Sequence, residues 1–357
     1  MSKARGLADL GNVYSDGALS NRNLIINGPM TVSQRGTSAS PAPIGYLIDR
    51  FATYSSGVGV LSIAQSSDAP AGFTNSALIT VTTAGTPSGG SYRTFQQAIE
   101  GNISAVLAQG TPEAKAFTVS FWVKTSILGT FSGSMRDSIV SRSYVFEYTM
   151  NAINTWEYKT VTIAGSTGGT FNTGNTGGLT LAFSQGQGTS FATATVGSWV
   201  TGNFHGSTTE TDLIATLGAT WQITGVQLEA GDTATPFEHR SFGQELALCQ
   251  RYFQELCGRG TIKAIANVSY YTTTDTFCAV RLQSEMRVTP TAIIPNQTDF
   301  KVFANEGNSP TTAVLLNASS GTASVELTFR TAARTVGFNG WVRTNSAAAS
   351  IQLDAEL

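Results

Sequence analysis

The chain is 357 residues long, enough for two or three domains at the usual ~100 to 200 residues each, and long enough to bury a core without a metal or disulfide scaffold. Only 12% of its residues are charged, against a usual ~25%, and 21 basic residues nearly balance 23 acidic ones for a formal net charge of -2. A polar, uncharged surface without blocks of like charge excludes a strong electrostatic footprint for nucleic acid, and no stretch approaches the ~18 apolar residues of a membrane span, so neither nucleic acid nor membrane insertion is expected.

Residues 1–36 read as an N-terminal attachment segment. Asp16 to Asn23 is turn-like, Leu24, Ile25 and Ile26 form a short apolar run, and Asn27, Gly28 and Pro29 break it again. Such a segment cannot bury a core by itself, so it is expected to dock on another protein through Leu24, Ile25 and Ile26. The start of the chain lacks the continuous apolar run of a secretory signal, so folding in a cytoplasm with three reduced, buried thiols is expected.

Residues 37–240 show short apolar alternation punctuated by Gly, Ser, Thr and Asn. Phe117, Val119, Phe121 and Val123 alternate with Thr118, Ser120, Trp122 and Lys124, the pattern of a strand with one buried face. Further strands are predicted at Val60–Ala64, Ala77–Thr82, Arg93–Ile99, Ser143–Met150, Glu157–Ile163, Leu179–Phe183 and Trp221–Leu228. With almost no helical periodicity between them, they predict an all-β jelly-roll sandwich. Residues 241–258 change the pattern. Phe242, Leu246, Cys249, Phe253 and Leu256 follow near-helical spacing, Ser241 with Gln244 resembles a capping box, and Gly258 and Gly260 stop the run. The spacing predicts one connecting amphipathic helix, either packed on a neighbouring sheet or meeting its own copies at a three-fold axis through Leu246 and Phe253. Residues 259–357 return to strand patterning and predict a second, smaller β-sandwich that includes Ile351 to Leu357.

The chemistry of catalysis is sparse. With two histidines, His205 and His239, there is no His-Glu-x-x-His pattern, and no phosphate loop, nucleophile elbow or Cys-x-x-Cys pair occurs. Glu210 with Asp212 reads as part of a solvated loop, and Glu229 with Asp232 as a charged strand end or a pair of calcium oxygens. No catalytic residue, cofactor or metal is assigned. Aromatic residues amount to 10% and several lie in strands. Flat aromatic faces beside amides suit a neutral glycan, whose rings present apolar C–H faces and polar rims. Trp122 is the candidate glycan-binding residue, because it points opposite to Phe121 and Val123.

Two sets of motifs carry a resemblance. Ala4-Arg-Gly-Leu-Ala-Asp-Leu-Gly, Asn21-Arg-Asn-Leu-Ile-Ile-Asn-Gly, Val32-Ser-Gln-Arg-Gly-Thr and Tyr46-Leu-Ile-Asp-Arg-Phe form the first. Gly225-Val-Gln-Leu-Glu-Ala-Gly, Thr235-Pro-Phe-Glu and Leu246-Ala-Leu-Cys-Gln-Arg-Tyr-Phe form the second. Together they resemble bacteriophage tail fibre and tail appendage proteins with a carbohydrate-binding-like jelly roll. The resemblance implies a homotrimeric virion protein at the phage tail, attached through its N-terminus to another tail protein and meeting the bacterial surface with its distal part; with the missing site motifs, it is expected to recognise a bacterial surface polysaccharide there without cleaving it. The alternative is a structural tail adaptor or decoration protein that binds no receptor.

Overall fold

The computed structural model describes residues 21–257, 262–304, 307–337 and 339–357. The chain divides into two compact units, the first ending at Glu245 and the second running from Leu246 to Glu356. The Ala4 motif, the first part of the expected attachment segment and the glycine stop at Gly258 and Gly260 lie outside the described residues.

The first unit is an antiparallel two-sheet sandwich. A six-stranded sheet runs in the order β1 (Ser38–Ala39), β4 (Val60–Ser66), β5 (Ser76–Thr83), β15 (Thr220–Ala230), β7 (Phe117–Thr125) and β10 (Glu157–Ile163). A seven-stranded sheet runs β13 (Trp199–Thr201), β9 (Arg142–Met150), β8 (Gly129–Asp137), β11 (Gly177–Gln187), β6 (Tyr92–Glu100), β3 (Ala52–Ser56) and β2 (Gly45–Tyr46). The chain changes sheets between β5 and β6, β7 and β8, β9 and β10, and β10 and β11, which is the jelly-roll habit of spreading consecutive strands over two layers. The expected all-β jelly-roll sandwich is therefore the observed fold.

Alternation sends the apolar residues of both sheets inward. Phe117, Val119, Phe121 and Val123 of β7 are fully buried against Phe95, Phe131 and Phe183 from the opposite sheet. Trp221 sits at the centre, its ring centroid 5.9 Å from Phe95 and 5.7 Å from Phe183, and its indole N–H donates to the Tyr148 hydroxyl at 3.0 Å. Both polar tips in this core are thus satisfied, as buried tryptophan and tyrosine require.

The run after Asn21 is part of this unit, which corrects its reading as a free attachment segment. Leu24, Ile25 and Ile26 are 7%, 0% and 5% exposed. β15 pairs with β5 only over Thr220 to Ile223, and beyond that point the N-terminal run takes the vacant edge. Leu24 N–H donates to Leu228 O at 2.8 Å and Val226 N–H to Gly28 O at 3.1 Å. Gln97 from the facing sheet both accepts from Ile26 N–H and donates to Ile26 O. Side chains spent on the chain's own core are not available to dock a partner. Close approach also explains Gly28, because a Cβ there would lie 2.2 Å from Val226 O. Gly28→Ala is expected to lower the stability of this unit by ~1–3 kcal/mol, the usual range for overpacking against backbone, with chemical denaturation as the measurement.

The second unit is also a sandwich, as expected. Its seven-stranded sheet has the order β21 (Gly307–Pro310), β20 (Phe300–Ala304), β24 (Asn339–Thr344), β17 (Ala264–Tyr270), β18 (Asp275–Arg281), β23 (Ser324–Arg330) and β22 (Ala313–Leu316). A three-stranded sheet is made of β16 (Phe253–Cys257), β25 (Ile351–Asp354) and β19 (Thr291–Ile293). Phe300, Val302, Leu327, Phe329, Val342 and Ile351 form its buried centre.

The connecting helix is shorter than its periodicity suggests. It spans Phe242–Gln250, and the capping box is real: Ser241 N–H donates to Gln244 Oε1 at 2.9 Å and Gln244 N–H returns to Ser241 Oγ at 3.3 Å. The apolar spacing continues through Phe253 and Leu256, but those residues belong to β16, where Phe253 pairs with Asp354. A partner strand about a hundred residues away outcompetes the local 3.6-residue pattern, an override that local spacing does not reveal. Phe253 is 0% exposed within its own chain, so the expected inter-subunit contact at that residue is corrected too. Leu246 is half-buried and Phe242 is exposed. Cys249, Cys257 and Cys278 are buried thiols outside any disulfide, and burial pushes the Cys257 and Cys278 thiols up to about 11.

Candidate functional site

The outer face of the seven-stranded sheet in the first unit carries a polar cleft of about 160 Å³. Its floor comes from strand alternation. β8 reads Gly-Thr-Phe-Ser-Gly-Ser-Met-Arg-Asp, and with Phe131 and Met135 turned into the core, Ser132, Ser134 and Arg136 face outward. On β6 the same logic turns Phe95 inward and Gln96 outward, and Tyr54 of β3 stands opposite Thr94 on that outer face. The residues after β11 then fold back over the sheet. His205 N–H donates to Phe191 O at 2.8 Å, and a short parallel pair, β12 (Ala192–Thr193) with β14 (Gly206–Ser207), fixes the return. This brings Phe191, Asn203 and His205 over Tyr92, Gln96 and Arg136.

One wall is aromatic. Tyr92 meets Phe191 at 4.9 Å and His205 at 4.6 Å, both nearly edge to face, and Phe191 lies 4.8 Å from His205. His205 links this wall to a hydrogen-bonding array centred on the buried Arg136. Its Nη1 donates to Asn203 Oδ1 at 3.0 Å and to His205 Nε2 at 3.2 Å, and its Nη2 donates to Gln96 Oε1 at 2.6 Å. Since a guanidinium only donates, Nε2 of His205 must accept, so the neutral ring carries its proton on Nδ1. Burial together with the adjacent Arg136 charge holds the His205 imidazole down at about 3, and burial brings Arg136 itself down to about 10. Near neutral pH the cleft therefore holds one cation and a neutral imidazole. Arg136 Nε and His205 Nδ1 are buried and have no hydrogen-bond partner among the described residues.

Beside the cleft, the loop that was read as solvated hides a carboxyl group. Glu210 accepts from Ser132 Oγ and from Ser184 Oγ at 2.7 Å, the latter hydroxyl shared with Gln187. Although part of the residue reaches the surface, the surrounding protein desolvates the carboxyl and pushes it up to about 8, with nearby Asp212 acting in the same direction. Two nearby hydroxyl donors do not offset that burial.

The sequence-predicted site residue lies elsewhere. Trp122 is half-buried on the outer face of the six-stranded sheet, 5.3 Å from the Tyr158 ring, and Gly225 leaves room for Phe73 beside it: a Cβ there would lie 2.6 Å from the Phe73 ring and 3.2 Å from Trp122 Cδ1. Glu229 takes hydrogen bonds from Thr235 N–H, Thr235 Oγ1 and Gln227 Nε2 and faces Arg22 at 3.8 Å, so its oxygens pin the loop after β15. Among the described residues no group of three or more His, Cys, Asp or Glu side chains is placed to hold a metal ion. His205 was visible as one of two histidines, but its partners come from two strands and a loop: Arg136 on β8, Tyr92 on β6 and Phe191. The best signal was the long stretch from Gly188 to Gly218, poor in predicted strand, since loops of that length in a compact domain tend to carry function.

No protein-family model matches the chain, and no curated protein matches it. Several solved structures do. The enzymatically active domain of tailspike protein 4 from bacteriophage CBA120 is 16% identical over 59% of this chain and 22% of that one, with a TM-score of 0.34. The chain thus spans less than a quarter of that protein's length. A family 61 carbohydrate-binding module in complex with β-1,4-galactotriose is 11% identical over 59% of this chain and 99% of that one, with a TM-score of 0.31. A family 4 carbohydrate-binding module is 15% identical over 57% of this chain and 98% of that one, at a TM-score of 0.32. At these identities and scores the likenesses carry no argument about what this chain binds.

Proposed function

We propose that the first unit is a glycan-binding module and that the cleft around Arg136 is its binding site. The observation that carries this reading is the pairing of an aromatic wall with buried, unpartnered hydrogen-bond donors in one concave polar site. A saccharide offers what each part lacks, an apolar ring face for Tyr92 or Phe191 and oxygens for the orphaned donors. Recognition of this kind needs no nucleophile and no tuned acid–base pair, so the site binds without cleaving.

The motif resemblance extends the reading to a bacteriophage tail protein that meets a bacterial surface polysaccharide. In a homotrimer three clefts would act together, and avidity would then rise by ~10²- to 10⁴-fold if all three engage. The helix offers Leu246 and Phe242 for such a contact.

Binding of the purified chain to bacterial surface polysaccharides, followed by titration calorimetry, tests the proposal. Tyr92→Ala and Phe191→Ala are each expected to weaken binding about tenfold or more, or ~1.4 kcal/mol, while Trp122→Ala leaves it unchanged. Loss with Trp122→Ala and not with the other two would move the site to the opposite sheet. Steady release of new reducing ends would overturn the reading of binding without cleavage.

A further inference from the structure

Arg136 is a buried cation without an ion-pair partner among the described residues. A buried charge is costly unless a counter-charge and hydrogen bonds compensate it, and here only the hydrogen bonds are present. All three groups that accept from it, Asn203 Oδ1, His205 Nε2 and Gln96 Oε1, are neutral. None of the residues lining the cleft is acidic. Asp137 follows Arg136 in sequence, yet strand alternation turns it to the other side, where it accepts from Ser141 N–H, Ser141 Oγ and Arg142 N–H. Glu210 lies on the same face, but its carboxyl holds its proton near neutral pH and is engaged with Ser132 and Ser184.

The unused donors have a definite geometry. A guanidinium has five N–H groups, and three are committed, which leaves Nε–H and one Nη2–H. These two can lie parallel on one edge of the planar fork, the edge that grips a carboxylate with two hydrogen bonds. His205 Nδ1–H is a third unpartnered donor in the same site. A neutral hydroxyl could satisfy one of these groups but would leave the charge uncompensated.

We propose that the cleft selects an acidic saccharide, a sugar ring bearing a carboxylate, with Arg136 as the anchoring cation, His205 Nδ1–H as a second donor and the Tyr92–Phe191 wall against the ring. This rests on the glycan-binding reading above and narrows its ligand class. It also refines the sequence-based expectation of a neutral sugar, which followed from aromatic residues beside amide groups and did not register one buried arginine.

The test uses the full chain and a panel of carboxylated oligosaccharides, namely oligogalacturonate, oligomannuronate and hyaluronan tetrasaccharide, each beside its carboxyl-reduced counterpart. Titration calorimetry is expected to show at least one acidic member binding tenfold or more tighter than its reduced form, with affinity falling as salt rises from 50 to 500 mM. Arg136→Met should abolish that preference. Because Arg136 also ties Gln96, Asn203 and His205 together, Arg136→Lys serves as a second variant: it keeps the charge, loses the fork and should retain a weakened preference for the acidic form. Equal binding of an acidic oligosaccharide and its reduced form would overturn the acidic ligand and leave the glycan site standing. If no member of either series binds, and no bacterial polysaccharide binds either, the acidic ligand and the glycan reading both fall.

Discussion

Ile25→Asp will leave the first unit unfolded. Ile25 has no exposed surface and packs in the main hydrophobic cluster of the sandwich, so removing its aliphatic side chain alone should cost ~2–5 kcal/mol through lost burial and the cavity left behind. Placing a carboxylate there adds several kcal/mol more, because it would have to leave water for an apolar cluster, and the nearby Arg240 is already committed to the carbonyls of Asn23 and Ile25. The sum is on the order of the whole stability of a domain, ~5–15 kcal/mol. The neighbouring backbone has no alternative partner either: Leu24 N–H is bonded to Leu228 O, Ile26 is held on both sides by Gln97, and Arg240 donates to the carbonyls of Asn23 and Ile25. Near-ultraviolet circular dichroism and hydrogen exchange of the variant should show loss of fixed packing around Trp221 and of protection on β15. A folded, soluble Ile25→Asp protein that fails only to join a larger assembly would instead restore these residues to the surface as a docking segment.

The contrast between what was legible and what was not follows the range of the interactions. Strands such as Phe117–Thr125 and Glu157–Ile163 announce themselves by alternation, because a buried face and a wet face suffice to specify them. β8 escaped that test. Its Gly-Thr-Phe-Ser-Gly-Ser-Met-Arg-Asp run holds only two large apolar residues, and Gly133 is needed because a Cβ there would lie 2.6 Å from Ala182 O and 2.5 Å from the Phe146 ring. β8 is central in its sheet all the same, since β9 and β11 supply hydrogen bonds on both edges. The helix end was misread for the same reason in reverse. Local periodicity favoured continuation through Leu256, and a distant strand at Ile351–Asp354 decided otherwise. The cleft was the least legible feature. Tyr54, Gln96, Arg136 and His205 stand far apart in the chain and are ordinary residues singly, and only the pleat and the returning loop make them one site. Trp122, by contrast, is conspicuous in sequence and is packed beside Tyr158 on the other sheet.

Glu210→Gln is expected to change the pH dependence of stability across the neutral and mildly alkaline range. The Glu210 carboxyl rises from its ordinary 4.5 to about 8 because burial opposes its charge. A group whose folded-state pKa lies above its unfolded value stabilises fully below the unfolded value, and that contribution drains away as pH rises through the window between the two. For Glu210 the window runs from 4.5 to about 8, so the wild-type chain should weaken steadily across the neutral range. Glutamine keeps a similar shape and hydrogen-bonding capacity and removes the charge. The variant should match the wild type near pH 4 and exceed it at pH 9 by ~2–4 kcal/mol, somewhat below the full shift at ~1.4 kcal/mol per pKa unit because part of the residue meets solvent. That corresponds to roughly 5–10 °C in Tm for a domain of this size. His205 works in the opposite direction and in a different window. Its value is depressed from 6.5 to about 3, so its contribution is present above 6.5 and is lost as pH falls toward 3, equally in wild type and variant. Thermal denaturation of the two proteins at pH 4, 6, 7.5 and 9 separates these effects, because only the Glu210 part appears in the difference. Parallel curves over the whole range would mean that the Glu210 carboxyl is ionised at neutral pH, and Arg136 would then have a candidate counter-charge on its own face of the sheet.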